Sequence, residues 1–178
     1  MSDLRQLIAF AGGPIEPRAQ ILRFIDAHPD ALVRTCLEGH LTASAAVVDR
    51  ARGAALLVLH RKLQRWLQPG GHADGDDDLT RVALRECWEE TGIDGLEAVG
   101  AAIDTDVHEI PARGDEPAHL HLDVRFLVLA PAGCEPRLND EVDAFRWVTA
   151  DDLDDDGLAL DGSTKRLVRA ALTIAARQ

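Results

Sequence analysis

The chain has no tyrosine, a single methionine and three cysteines, and its 19 basic residues are outnumbered by 31 acidic ones. Each shortage excludes something. Cys36, Cys87 and Cys134 are odd in number and share no metal-type spacing, so neither a disulfide framework nor a cysteine zinc site is expected. A net charge of −12 opposes binding to a nucleic acid backbone, which needs a positive field. No apolar run approaches the roughly 20 residues of a membrane span, and residues 1–30 lack a basic start followed by an uninterrupted apolar stretch. The expectation is therefore a cytoplasmic protein with neither a nucleic acid nor a membrane as partner. With 46% apolar and 28% charged residues, 178 residues suffice for one domain with a sizeable core.

Chemistry is concentrated in residues 70–93. Gly70-Gly71-His72 opens a loop rich in glycine and aspartate that runs to Asp78, and Leu79–Thr91 follows with helical spacing. On that helix Glu86 and Glu90 are one turn apart, in the arc occupied by Leu79, Val82 and Ala83, so their carboxylates point toward the protein. Gathering Glu86, Glu89 and Glu90 costs Coulomb energy that a cation, a bound proton or free solvation offsets. The Asp74–Asp78 run lacks the ligand spacing and terminal glutamate of an EF-hand, and Asp77 or Asp78 suits a helix cap better.

Gly71, Asp77, Arg85-Glu86, Cys87, Glu89-Glu90 and Gly92-Ile93 together resemble the signature of the Nudix hydrolases. That pattern is a Gly, five residues, a Glu, seven residues, Arg-Glu, an apolar residue, any residue, Glu-Glu, any residue, Gly and an apolar residue. The one departure is Asp77, which keeps the carboxylate but shortens it by a methylene. The resemblance implies an α/β fold, an α/β/α sandwich around a mixed sheet, over roughly residues 42–150. It also implies a hydrolase that cleaves a phosphoanhydride bond in a small-molecule substrate, a nucleoside diphosphate linked to another group. Mg²⁺, or Mn²⁺ in its place, would be held by Glu86, Glu89, Glu90 and Gly71. Arg85 would orient the glutamates with support from Asp77, and Glu86, Glu89 or Glu141 would take the proton from water. Glu141, six residues before Trp147, resembles the glutamate that many members bring from outside the signature. Two alternatives stay open. An isopentenyl-diphosphate-isomerase-like enzyme would need a cysteine and a glutamate across an apolar pocket, and a non-catalytic ligand-binding or regulatory relative would more naturally have lost signature glutamates. The lack of tyrosine also removes the stacking residue used by several dinucleoside polyphosphate enzymes of the family.

Elsewhere, residues 1–40 read as a helical extension, with helices over Pro17–Ala27 and Pro29–Glu38, ahead of a domain over 41–178. Ala45–Asp49 and Ala54–His60 read as a hairpin around Arg50–Gly53. Strands are expected at Val99–Ile110, His119–Leu129 and Phe145–Val148, then a helical turn at Ala150–Asp154 and a last helix at Ser163–Arg177. Within His119–Leu129 the alternation puts His119, His121, Asp123 and Arg125 on one face, and the neighbouring strand adds Asp104, Asp106 and His108. This wall is either a solvent-facing strand pair or a recognition surface or auxiliary metal site, with Arg125 on a phosphate and the histidines on a sugar or base. His72 and Trp66 complete the candidate substrate contacts, Trp66 by stacking a base or by packing in the core. Trp88 lies opposite the carboxylates and is expected against the N-terminal extension or a partner subunit in a homodimer.

Overall fold

The computed structural model describes residues 2–114, 117–137, 140 and 142–178. Its centre is β1 (Gly39–Asp49), buried along its whole length because both edges are paired. β2 (Ala54–His60) runs antiparallel on one side, and β7 (His119–Leu129) runs parallel on the other from Gly39↔Leu120 to Val48↔Leu129. The main path of the sheet is β3-β2-β1-β7-β5, with β3 at Arg65–Leu67 and β5 at Glu97–Ala98. Off that path β4 (Gly70–His72) pairs with β1, β6 (Asp104–Ile110) with β7, and β8 (Val142–Val148) with β2.

Alternation along β1 divides the core in two. Leu41, Ala43, Ala45 and Val47 meet Leu79, Val82, Ala83 and Cys87 of α3 (Leu79–Thr91). Ala46 and Val48 belong to the other cluster, with Leu167, Val168 and Ala171 of α4 (Gly162–Ala175). A mixed sheet with a helix on each face is the expected α/β/α sandwich. Two more helices, α1 (Ser2–Ala9) and α2 (Ile15–Ala27), send Leu4, Ile8 and Ile21 into the α3-side core, so extension and sheet share one apolar interior. Among the described residues no helix is long and apolar enough to cross a membrane.

β1 begins six residues and β8 three residues before the expected starts at Ala45 and Phe145, and two expected elements differ in kind or continuity. Pro29–Glu38 is a series of turns, not a helix, because its backbone serves other partners. The Ala31 carbonyl accepts from Leu41 N–H at 2.7 Å, and the Leu32 carbonyl accepts from Gly75 N–H at 2.8 Å. The expected strand Val99–Ile110 is interrupted at Gly100, whose φ of 67° lies in the left-handed region, and resumes at Asp104.

Candidate active site

β4 lays Gly70–His72 against Thr42–Ser44 and brings Gly71 up to α3. A Cβ at Gly71 would overlap the Glu86 carboxylate, so the close approach requires glycine. Arg85 Nη2 donates to Glu86 Oε1 at 2.7 Å and to the His72 carbonyl at 2.9 Å, and its Nε lies 3.9 Å from Glu89 Oε1. Burial raises the pKa of the Glu86 carboxyl, and the hydrogen bond and charge of Arg85 only partly offset that rise. Glu90, one turn further along, is buried, whereas Glu89 is exposed. Gly71, Arg85 and Glu86 thus form one contact group, with Glu89 at its open side.

Asp77 is exposed and makes no hydrogen bond among the described residues; the cation that feels its charge is Arg81. Arg85 meets His72 and Glu86 instead. Asp78 caps the helix, its Oδ1 accepting from Arg81 N–H at 3.1 Å. The loop is tied down at both ends: Arg34, from outside the signature, pairs with both carboxylate oxygens of Asp74 at 2.7 Å, and Arg81 of α3 holds Asp76. Glu141 lies outside the described residues.

The polar wall of β7 is not solvated. Asp104, Asp123 and Arg125 are all buried, Arg125 with 2% of its surface exposed. Arg125 Nε donates to Asp123 at 2.7 Å, and its two Nη atoms lie 3.5 Å from Asp104 and 3.2 Å from Asp106. Arg166 of α4 holds Asp104 through both carboxylate oxygens at 3.0 Å, and Asp123 also accepts from Thr42 Oγ1 and Ser44 Oγ. The reading of Arg125 as a phosphate clamp therefore gives way to a buried ion network that joins β6, β7 and α4. Three aspartates already engage its guanidinium.

Next to the network the sheet gathers histidines. Parallel pairing sets His40 beside His121, antiparallel pairing sets His108 on the other side of His121, and β4 brings in His72. The ring centroids of His40 lie 4.9 Å from those of His72 and His119 and 5.1 Å from that of His121. His72 and His121 are 4.9 Å apart, and His108 and His121 5.5 Å. Five of the seven histidines of the chain are thus in one group. Burial first, then neighbouring positive charge, pushes the pKa of His72 down to about 4 and that of His121 down to about 2, so both are neutral at pH 7. Sequence reading missed His40, because the boundary of the helical extension was set at residue 40. Its signal was the alternation His40, Thr42, Ser44 against Leu41, Ala43, Ala45.

Trp66 is partly buried against the α4-side core. Trp88 is 53% exposed, its indole N–H donating to Asp94 at 3.0 Å, and the N-terminal extension does not cover it. A concavity of about 780 Å³ at the far end of β1, lined by Asp49, Glu97, Leu129 and Pro131 among others, contains none of the site residues. Chemically, the carboxylates of α3 suit a hard cation, and the imidazoles beside them suit a softer metal or a polar ligand.

Comparison with known proteins gives a consistent picture. The model of the NUDIX domain matches residues 39–168. Phosphatase NudJ of Escherichia coli (strain K12) is 32% identical over 89 residues, which cover 49% of this chain and 54% of that protein. The protein of the same name from Shigella flexneri aligns equally well. The chain spans about half the length of the curated relatives it matches. Among solved structures, a C. elegans Ap4A hydrolase binary complex superposes with a TM-score of 0.61 at 20% identity, over 78% of this chain and 98% of that one. The E. coli dihydroneopterin triphosphate pyrophosphohydrolase does so with 0.61 at 16% identity, over 75% and 95%. At these identities the structural likeness is one of fold.

Proposed function

Because the chain belongs to the Nudix family, we propose that it is a metal-dependent pyrophosphohydrolase that cleaves the phosphoanhydride bond of a nucleoside diphosphate linked to another group. The observation that carries this reading is the contact group of Gly71, Arg85 and Glu86, with Glu89 and Glu90 on the same helix. The donor set fits Mg²⁺ or Mn²⁺: three carboxylates and a backbone carbonyl are hard oxygen ligands, and the missing Cβ at Gly71 leaves Glu86 its place. Bound there, such an ion would supply positive charge at the diphosphate and acidity to a water.

In this mechanism Glu86, Glu89, Glu90 and the Gly71 carbonyl would hold the ion, and Arg85 fixes the Glu86 carboxylate and the His72 backbone relative to one another. Water attacks phosphorus, the P–O bond of the anhydride breaks, and the leaving phosphate keeps the bridging oxygen. A carboxylate would take the proton from water; among the described residues Glu89, the exposed one of the three on α3, is the candidate, and the resemblance adds Glu141. His72, one residue from Gly71, would meet the group attached to the diphosphate.

The cysteines weigh against the isomerase alternative. Cys87 is sealed in the core with a strongly raised pKa from burial, Cys36 is buried, and the Cys134 carbonyl accepts from Arg52 near the β1–β2 turn. A panel of nucleotide sugars, ADP-ribose, dinucleoside polyphosphates and nucleoside triphosphates, assayed with Mg²⁺ and with Mn²⁺, tests the proposal. It predicts turnover of a diphosphate-linked substrate, and no phosphoanhydride cleavage across the panel would contradict it.

A further inference from the structure

We propose that His40, His119 and His121 form a binding site for a divalent transition metal of the zinc class, separate from the carboxylate site on α3. One ring nitrogen from each histidine lies within 4.8 Å of the other two. Tetrahedral Zn²⁺ with ordinary Zn–N bonds separates its nitrogens by about 3.3 Å, so closing the site takes about 1.5 Å shared among three side chains. β1 and β7 set the three positions: His40 pairs with His121 near the start of a continuous parallel ladder, and His119 lies two residues back on β7.

A second observation concerns His119. Its Nδ1 lies 2.9 Å from the Pro117 carbonyl, an acceptor only, so Nδ1 carries the proton and Nε2 is left with the lone pair. Metal-binding histidines regularly donate their other ring N–H to a carbonyl in this way, which fixes tautomer and ring orientation before the ion arrives. The donor chemistry separates the two sites. Three imidazoles suit zinc, nickel or copper, whereas the glutamates of α3 are the oxygen ligands that suit magnesium or manganese.

Three protein ligands also leave a fourth position. The His72 ring on β4, one residue from Gly71, has its centroid 4.9 Å from those of both His40 and His121. A metal here would adjoin the hydrolase site, yet its binding does not depend on the proposed activity.

The test is metal binding by the full chain in saturating Mg²⁺, which occupies hard-ligand sites. Isothermal titration with Zn²⁺, with metal content after gel filtration, is expected to give one tightly bound ion per chain. His40→Ala, His119→Ala and His121→Ala should each weaken it by more than about tenfold, the loss that follows even from removing a group that only orients a ligand. Glu86→Gln should leave Zn²⁺ stoichiometry unchanged. Co²⁺ in the unmodified protein should show the visible absorption of a tetrahedral nitrogen site, a readout that does not depend on any variant folding. Absence of Zn²⁺ binding, binding indifferent to all three histidine variants, binding lost in Glu86→Gln, or octahedral Co²⁺ spectra would each overturn the proposal. Because none of these readouts is turnover, failure here and failure of the hydrolase reading are distinguishable.

Discussion

Gly71 and Glu86 constrain each other: the backbone of one occupies the space that any side chain would need beside the carboxylate of the other. The obstacle to Gly71→Ala is the end of a flexible side chain, so the fold should survive while Glu86 is displaced. A displacement of about 1 Å at a reacting centre costs roughly 10²-fold in rate, and that loss in kcat at a nearly unchanged melting temperature is the expected result. Wild-type kcat in Gly71→Ala would remove Glu86 from the site. Arg125 makes the opposite prediction. With Asp104, Asp106 and Asp123 around a guanidinium that is 2% exposed, Arg125→Met leaves buried carboxylates uncompensated and should destabilise the fold by about 3–5 kcal/mol in denaturant unfolding. A changed KM at unchanged stability would restore Arg125 to a substrate role.

At the scale of elements, α3 owes its position to its caps as well as to its apolar face. Asp78→Ala removes the acceptor for Arg81 N–H and should cost about 1 kcal/mol, read as a shift in the denaturation midpoint; no shift would mean that the loop contacts alone fix the helix start. Both α3 and β7 were legible in the sequence to the residue. Leu79–Thr91 keeps a helical period between a capping aspartate and Gly92, and His119–Leu129 alternates from His119 to Phe126 before an apolar end. Pro29–Glu38 was not legible, because its apolar residues fit a helical period while its backbone makes i→i+3 turns and gives the Ala31 and Leu32 carbonyls to Leu41 and Gly75, partners that only the tertiary structure supplies. The faces of β7 were legible, but not their burial. Polar alternation in a strand looks the same whether water or a network of aspartates and arginines covers it, and Arg166, which closes the network over Asp104, lies 62 residues away in the chain. For the same reason the histidine group was seen only in part: His119 and His121 share a strand, and His40 joins them through a parallel pairing that sequence periodicity does not reveal.

Among the 31 acidic residues of the chain, several that lose solvent on folding gain specific partners. Burial alone would raise the pKa values of Asp49, Asp106 and Asp161. Hydrogen bonds from Gly133, Arg52 and Ala51 to Asp49, from His108 to Asp106, and from Thr164 and Ser163 to Asp161 outweigh it, assisted at Asp106 by the charge of Arg125, and all three end below the usual carboxylate value. A depressed folded-state pKa stabilises the fold above the unfolded value of about 4, and this contribution is lost as pH falls through the folded value. Melting temperature should therefore decline on acidification below about pH 4, and a flat profile there would contradict the ion-network account. The central claim is that the carboxylates of α3 carry metal-dependent hydrolysis of a phosphoanhydride. Its most direct test is the kcat of wild type and Glu90→Gln on the best substrate of the nucleotide panel, with Mg²⁺ and with EDTA. The account predicts turnover by wild type with Mg²⁺, its loss in EDTA, and a fall of roughly two to four orders of magnitude in a folded Glu90→Gln protein. Turnover that survives EDTA, or a Glu90→Gln variant as fast as wild type, would contradict it.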